Sequence, residues 1–210
     1  MSSSAWSVRA ARERSDTDRH HALLDAAAEI FIERGYAATT VAAITARAGV
    51  SRATLYVYFA SKDEIFHALA VRIRDEFLAA QEPGLDSGEP RNMLRATIES
   101  FAAAVLEAGP LLRLIEERGA VDPALAALAA EISERPIRRF VRYLRREQRA
   151  GTIVAAAPVP IVAETIGYAL TQGILARRDD PPAARARYLT QLRQLAETLL
   201  GLRPGPGDPA

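Results

Sequence analysis

Apolar residues recur every three or four positions along most of this chain, which is the spacing of one face of an α-helix. Leu24, Ala27 and Phe31 follow this spacing near the start, and Leu69 and Ile73 follow it further along. The pattern predicts an all-α fold of about nine helices. The predicted helices span residues 19–34, 41–48, 52–59, 62–81, 92–108, 111–118, 123–150, 160–177 and 182–202.

The stretch from Thr39 to Lys62 predicts two short helices around a tight turn. Thr39 or Thr40 is suited to cap the first helix, because a threonine hydroxyl can accept a hydrogen bond from a free backbone N–H. Gly49 stands where this helix must end, since glycine tolerates the left-handed conformation. Ser51 is the predicted N-cap of the second helix. A helix, a glycine turn and a second helix form the helix-turn-helix arrangement that reads DNA.

The second helix divides into two faces at about 100° per residue. Leu55 and Phe59 fall on one face and are predicted core anchors, whereas Tyr56 and Val57 fall on the opposite face. In a DNA major groove, valine can contact a thymine methyl group and a tyrosine hydroxyl can bind phosphate. We expect base contacts from Arg52 and a phosphate contact from Lys62. The predicted DNA-contacting residues are Thr40, Ser51, Arg52, Ala53, Thr54, Tyr56, Val57, Tyr58 and Lys62.

The run AxxFIERGYAATTVAAITARAGVSRATLYVYFASKDEIF resembles the DNA-binding domain of the tetracycline-repressor (TetR) family. The similar part covers residues 18–69, roughly a quarter of the chain, and its core AGVSxxxLYxYFxSK is quite specific. The resemblance implies a sequence-specific regulator, more often a repressor, that binds a double-stranded, palindromic operator as a homodimer. It also implies release from the operator by a small apolar effector bound in the C-terminal domain.

Glycine, proline and polar residues divide the chain into two predicted domains. Residues 19–82 form the helix-turn-helix DNA-binding domain, with the motif itself at about 40–59, and residues 83–202 form a helical ligand-binding and dimerisation domain. Residues 1–18 are predicted to be a disordered arm, and residues 203–210 a disordered tail. The arm contains Arg9, Arg12 and Arg14, so it is either a solvated tail or a segment that contacts DNA.

The C-terminal helices contain two sets of apolar candidates. Helical spacing alone does not distinguish residues that line a cavity or an interface from ordinary core. The predicted lining of an effector cavity is Phe77, Phe101, Leu111, Leu114, Ile115, Tyr143, Tyr168 and Gln172. The predicted interface of the homodimer is Val162, Ile166, Ala169, Leu170, Gly173, Leu189, Leu192, Leu195 and Leu199.

Composition limits the remaining possibilities. The 210 residues are 49% hydrophobic and 25% charged, with a net charge of +1, so DNA binding must depend on local charge. There is no cysteine, which excludes disulfides and thiol nucleophiles. The N-terminal residues lack the apolar run of a signal peptide, and no uncharged stretch is long enough to span a bilayer. We therefore expect a cytoplasmic protein without a membrane anchor.

No pattern typical of catalysis appears in the chain. A glycine-rich phosphate loop, zinc-ligand spacing and a nucleophile elbow are all missing, so we expect neither a cofactor nor a bound metal. The favoured hypothesis is a regulator that responds to a small ligand. One alternative is a DNA-binding regulator of the same fold that is controlled by a protein partner, and a remote alternative is a cofactor-independent helical enzyme.

Overall fold

The computed structural model describes residues 18–82 and 88–202, and within these ranges it contains eight α-helices and no strand. Residues 1–17 of the predicted arm, the predicted tail and residues 83–87 at the expected domain boundary lie outside the described residues, whereas Asp18, the predicted end of the arm, already begins a helix. The helices are α1 (Asp18–Ala38), α2 (Val41–Ala48), α3 (Arg52–Tyr58), α4 (Lys62–Ala79), α5 (Pro90–Gly119), α6 (Pro123–Ala150), α7 (Val159–Ala176) and α8 (Pro182–Leu199).

Helix α1 is interrupted where the sequence predicts its end. Gly35 has φ 71° and ψ 172°, which is not helical, and the helix resumes beyond this kink as far as Ala38. Upstream of the kink, Leu23, Ala27 and Phe31 are completely buried. The predicted apolar stripe is therefore the face that α1 contributes to its core.

Helix α5 replaces two of the predicted helices. The sequence predicts a break at Gly109 and Pro110, but both residues lie inside one helix of 30 residues. A proline within a helix removes one backbone hydrogen bond. Residues on both sides are buried, with Ala108 and Leu111 each 5% exposed. Packing of these side chains outweighs the local preference, so the separate helix predicted at 111–118 is wrong.

The chain forms two compact units that do not follow a single cut in the sequence. The first comprises Met1–Arg72 and Pro110–Ala129, and the second comprises Ile73–Gly109 and Ala130–Ala210. In the first unit the rings of Phe31 and Phe66 meet edge to face, with centroids 4.8 Å apart. Both rings are completely buried, and so are Ile44 and Leu55. This core holds the helix-turn-helix against α1 and α4.

The core of the second unit is built around α7. Val162 and Ile166 of this helix pack in one cluster with Met93, Leu144 and Ala196. The same unit contains a close contact between α7 and α8, where the Tyr188 hydroxyl donates a hydrogen bond of 2.5 Å to the carbonyl oxygen of Ala169. The sequence pattern predicts two strongly apolar C-terminal helices, and these pack against each other within one chain.

One described helix, α7, is long and apolar enough to cross a membrane by length and composition alone, with a mean hydropathy of 1.3. The core helix of a soluble protein passes the same test. Six of its residues are buried in the chain itself, among them Val159, Ala163 and Ile174. These contacts account for the apolar composition of α7 as core.

Candidate nucleic-acid interface

Side-chain caps define the ends of the two short helices. The Thr40 hydroxyl accepts a hydrogen bond of 3.2 Å from the backbone N–H of Ala43, and Ser51 accepts one of 3.0 Å from Thr54. Between the helices, Gly49 has φ 65° and ψ 30°, which is the left-handed conformation. Three residues with strong local preferences therefore fix the turn between α2 and α3.

The two threonines before α2 have different roles. Thr40 is the cap, whereas Thr39 is only 1% exposed. The Thr39 hydroxyl donates a hydrogen bond of 2.7 Å to the carbonyl oxygen of Gly35. This bond attaches the start of the helix-turn-helix to the kink at the end of α1. The sequence left both threonines as candidate caps, and the structure assigns the cap to Thr40.

Helix α3 is anchored on one face and open on the other. Leu55 is completely buried and Phe59 is 3% exposed, whereas Tyr56 and Val57 are 55% and 56% exposed. Arg52 and Ala53 are also exposed, and Thr54 and Tyr58 are half-buried. The hydroxyl of Thr54 lies 2.9 Å from that of Ser51, so these two side chains form part of the cap. Tyr56 and Val57 are therefore the large side chains that α3 presents outward.

Arg47, at the end of α2, is neutralised by two carboxylates. A terminal nitrogen of Arg47 donates to Glu33 at 2.7 Å, and its other terminal nitrogen donates to Glu29. The hydrogen bonds that Arg47 donates to Glu33 and then to Glu29 are the main causes that raise its pKa. Arg47 thus connects α2 to α1, and we do not count it among the charges available to a DNA backbone.

Lys62 is held in place by contacts within its own unit. Its ammonium nitrogen donates a hydrogen bond of 2.9 Å to the carbonyl oxygen of Tyr36 and lies 4.4 Å from the centroid of that ring. The guanidinium carbon of Arg118 lies 4.2 Å from the same centroid. Burial is the larger cause that lowers the pKa of Lys62, and the positive charge of Arg118 is the second. No local sequence pattern indicates that Tyr36 and Arg118 lie next to Lys62, because Arg118 is distant from both residues along the chain.

A capping box fixes the first turn of α4, where Lys62 lies. The Ser61 hydroxyl accepts a hydrogen bond of 3.1 Å from the N–H of Glu64, as the S-x-x-E pattern predicts. The carboxylate of Glu64 reaches back to the N–H of Ala60. The backbone around Lys62 is therefore well defined, which limits the positions that its ammonium group can reach.

Of the eight residues predicted to line the effector cavity, six are buried and two are exposed. Tyr168 is 51% exposed and Gln172 is also exposed, because both face outward from α7. They cannot line an interior cavity. Within the second unit, the rings of Phe77 and Phe101 meet at 4.9 Å. The six buried residues are Phe77, Phe101, Leu111, Leu114, Ile115 and Tyr143.

Sequence reasoning also missed a groove on the second unit. The groove has a volume of about 240 Å³, and helices α5 and α8 supply its lining. Its lining mixes charged, polar and apolar side chains, and no helical pattern marks such a combination. The lining residues are Arg95, Ile98, Glu99, Ala186, Leu189, Thr190 and Arg193.

Several residues predicted for the homodimer interface are buried within the chain itself. Val162, Ile166, Leu170 and Leu192 are each no more than 4% exposed, so their side chains offer no surface to a second copy. For these four residues the interface assignment is wrong.

The other five predicted interface residues keep some accessible surface. Leu195 is 46% exposed, and Ala169, Gly173, Leu189 and Leu199 are half-buried. Two residues that the pattern did not assign to the interface are more exposed than any of these, namely Ile161 at 53% and Tyr168 at 51%. Both lie on α7 and are seven residues apart, so they share one face of that helix.

Comparison with known proteins identifies the first part of the chain. A family model described as "Bacterial regulatory proteins, tetR family" matches residues 23–69. The HTH-type transcriptional activator FasR of Mycolicibacterium smegmatis is 37% identical over 112 residues, which cover 52% of this chain and 51% of FasR. The chain thus spans about half the length of that relative.

Other relatives match most of the chain. The HTH-type transcriptional repressor AcnR of Corynebacterium jeikeium is 30% identical over 169 residues, covering 78% of this chain and 84% of AcnR. The regulator FadR from Bacillus subtilis, solved in complex with stearoyl-CoA, has the same fold, with a TM-score of 0.66 at 18% identity over 88% of this chain and all of FadR. These proteins are regulators and not enzymes. The chain therefore belongs to the tetR family of bacterial regulatory proteins and is a DNA-binding transcriptional regulator.

Proposed function

We propose that this protein is a cytoplasmic repressor that binds a palindromic operator as a homodimer and leaves it when a small apolar effector binds the second unit. The observation that carries the proposal is the exposure of Tyr56 and Val57 on α3, a helix that is otherwise anchored by Leu55. Exposed apolar side chains next to capped turns are suited to thymine methyl groups in a major groove. Without DNA, these two side chains would face only water and would make no such contact.

A homodimer is needed to bind the operator tightly and symmetrically. Two copies of α3 related by a two-fold axis can enter successive major grooves about 34 Å apart. Ile161 and Tyr168 on α7 and Leu195 on α8 supply large exposed apolar surface for a second copy. The dimer also explains why the operator should be palindromic, because the symmetry of the protein is repeated in the DNA.

The second unit has the composition of an apolar ligand site. Phe77, Phe101 and Tyr143 are buried there, and burial is the main cause that raises the pKa of the Tyr143 hydroxyl to about 12. The side-chain oxygen of Gln81 is buried and has no hydrogen-bond partner among the described residues. A lipophilic effector with one hydrogen-bond donor would satisfy this acceptor. The stearoyl-CoA complex of FadR supports a lipophilic ligand, since the two proteins share a fold.

Selection from a random duplex library with the purified protein tests the proposal. We expect enrichment of one two-fold symmetric sequence and, by native mass spectrometry, two chains per duplex. Long-chain acyl-CoA and free fatty acids are then titrated into the complex, with a water-soluble short-chain acid as the control. Release by the long-chain compounds alone supports the effector class, and failure to enrich any symmetric sequence contradicts the operator.

A further inference from the structure

Two cations share one aromatic ring in the first unit. Lys62 and Arg118 lie 4.4 and 4.2 Å from the centroid of the Tyr36 ring. That ring contacts Phe31 and Phe66, with centroids 5.7 and 5.0 Å away, and both phenylalanines are completely buried. The ring is therefore a fixed platform. Tyr36, Lys62 and Arg118 are each half-buried, so the platform keeps access to solvent.

Within the part of the chain that the structure describes, neither cation is paired with a carboxylate. In residues 18–82 and 88–202, no aspartate or glutamate forms an ion pair with Lys62 or Arg118. Lys62 donates one hydrogen bond to Tyr36, and an ammonium group has three N–H donors. The Nε nitrogen of Arg118 is buried and has no acceptor among these residues. Two neighbouring positive charges with unused donors favour an anion, which removes their repulsion and accepts charge-assisted hydrogen bonds.

The segment that contains Arg118 is fixed at two further points. An added Cβ on Gly119 would lie 3.2 Å from the Cα of Ala126, so the end of α5 packs tightly on α6. Asp122 lies 3.1 Å from His67, which ties the same segment to α4. Arg118 is thus held near the start of α4 before any ligand binds. A preorganised cation loses less conformational entropy on binding than a free one.

The position of Lys62 indicates which anion the site receives. Lys62 is the first residue of α4, and α3 ends at Tyr58, only four residues earlier. Lys62 therefore lies next to the proposed reading helix, and Arg118 shares the Tyr36 ring with it. Burial and the nearby charge of Arg118 lower the pKa of Lys62, and a bound phosphate would reverse the second of these effects.

We propose that Lys62 and Arg118 together form a phosphate-binding site on the Tyr36 ring, and that its ligand is one phosphate of the DNA backbone. This rests on the proposed function, since the duplex must be an operator. The new component is Arg118, which lies outside the residues 23–69 that match the family model. A single phosphate shared by two cations has a clear consequence for salt dependence, because the slope counts the phosphates that are neutralised.

The first experiment measures binding of the selected duplex at several salt concentrations. Arg118→Met should make the slope of log K against log [NaCl] shallower by about 1, so that a fourfold rise in salt weakens wild type about 3.5-fold more than the variant. Lys62→Met should do the same. The double variant should also lose about 1 and not 2, because the one phosphate is held only while both side chains are present, so loss of either already releases it. Arg118→Lys keeps the charge and should keep the slope.

Arg113→Met is the matched control. Arg113 is in the same helix, its side chain is 78% exposed, and its substitution removes the same charge. We expect the wild-type slope for this variant. Circular dichroism melts show whether each variant is folded. An unchanged slope in folded Arg118→Met, or a loss of about 2 in the double variant, overturns the shared site.

A second experiment uses the fact that Lys62 is the only lysine in the chain. Lysine labelled with ¹³C and ¹⁵N gives one side-chain signal in the NMR spectrum, whose titration reports the pKa of Lys62 directly. Inorganic phosphate at constant ionic strength should raise this pKa in wild type but not in Arg118→Met, and chloride should not raise it. The absence of a phosphate effect in wild type contradicts the site.

The two experiments separate the possible failures. If wild type binds no duplex while phosphate still shifts the Lys62 signal, the proposed function fails and the anion site stands. If wild type binds the operator and Arg118→Met has an unchanged slope while phosphate shifts the signal, the ligand is a free phosphate compound. That result overturns the assignment to DNA.

Discussion

The Nε2 nitrogen of His67 lies 3.1 Å from the Oδ2 oxygen of Asp122, and this contact joins helix α4 to the first turn of helix α6. The other carboxylate oxygen of Asp122 accepts hydrogen bonds from the N–H groups of Ala124 and Leu125, at 2.9 and 3.2 Å. One carboxylate therefore caps α6 and pairs with α4. The hydrogen bond from His67 is the first cause that lowers the pKa of Asp122, and the N–H of Leu125 is the next.

Acid unfolding should depend on Asp122. A carboxylate with a lowered pKa stabilises the folded state above its unfolded pKa, about 3.9, and this contribution is lost as the pH falls through the folded value. Asp122→Asn keeps a capping side chain but not the charge. We expect its melting temperature to lie below that of wild type at pH 6 and to approach it below about pH 3.9. Asp179→Asn, at a side chain that is 99% exposed, is the control. A constant difference at all pH values would contradict this account.

The turn between α2 and α3 should tolerate only certain residues at Gly49. Its φ is 65° and an added Cβ would meet no atom within 4 Å, so the cost of a substitution is backbone strain alone. Gly49→Ala should lower the free energy of unfolding by about 1–2 kcal/mol. Gly49→Asn should cost less, because asparagine adopts the left-handed conformation more readily. Urea titration measures both, and an alanine variant as stable as wild type would show that the turn has another conformation.

The contact between α7 and α8 should be sensitive to one methyl group. A Cβ on Gly173 would lie 1.9 Å from the Tyr188 hydroxyl oxygen, so the ring must move and lose its hydrogen bond to Ala169. We expect Gly173→Ala to cost about 1–3 kcal/mol of unfolding free energy. Combined with Tyr188→Ala it should cost less than the sum of the single changes. Gly167→Ala in the same helix is the control, since its Cβ would lie 3.2 Å from Ile137. An equal cost at both glycines would exclude the specific clash with Tyr188.

A charge at each of two leucines that lie three residues apart should have different effects on the dimer and on folding. Leu192 is 4% exposed and Leu195 is 46% exposed. Leu195→Glu should give folded monomers in light scattering, because it places charge on the exposed face. Leu192→Glu should unfold the protein, since it buries an unpaired charge. A folded dimer in Leu195→Glu would show that this part of α8 is outside the interface.

Local preferences made much of the fold predictable from the sequence. Gly49 and Ser51 mark helix ends through their own backbone conformation and capping hydroxyl, so no distant residue is needed to infer them. The helical period also identified Leu55 as a core residue of α3. Pro110 shows the limit of this reasoning, because the buried neighbours that continue α5 across it are known only from the folded chain.

The candidate sites were less predictable, for two physical reasons. Helical spacing marks Leu192 as apolar, but it cannot tell whether the same chain or a second copy covers that face. The contact of Arg118 with Tyr36 depends on tertiary structure, and neither residue belongs to a pattern that would pair them. The residues Tyr56 and Val57 were identifiable because a short capped helix has few faces, and their neighbours at the core positions leave them facing outward.

If α3 reads DNA through its exposed apolar side chains, a matched pair of valines tests this most directly. Val57 is 56% exposed on α3, and Val121 of the same unit is 71% exposed outside it. Fluorescence anisotropy measures the ratio of affinities for the selected operator and a shuffled duplex. We expect Val57→Ala to lower this ratio roughly 5- to 10-fold, through lost contact with bases. Val121→Ala should leave it within about twofold. An equal ratio in the two variants would contradict the assignment of α3 as the reading helix.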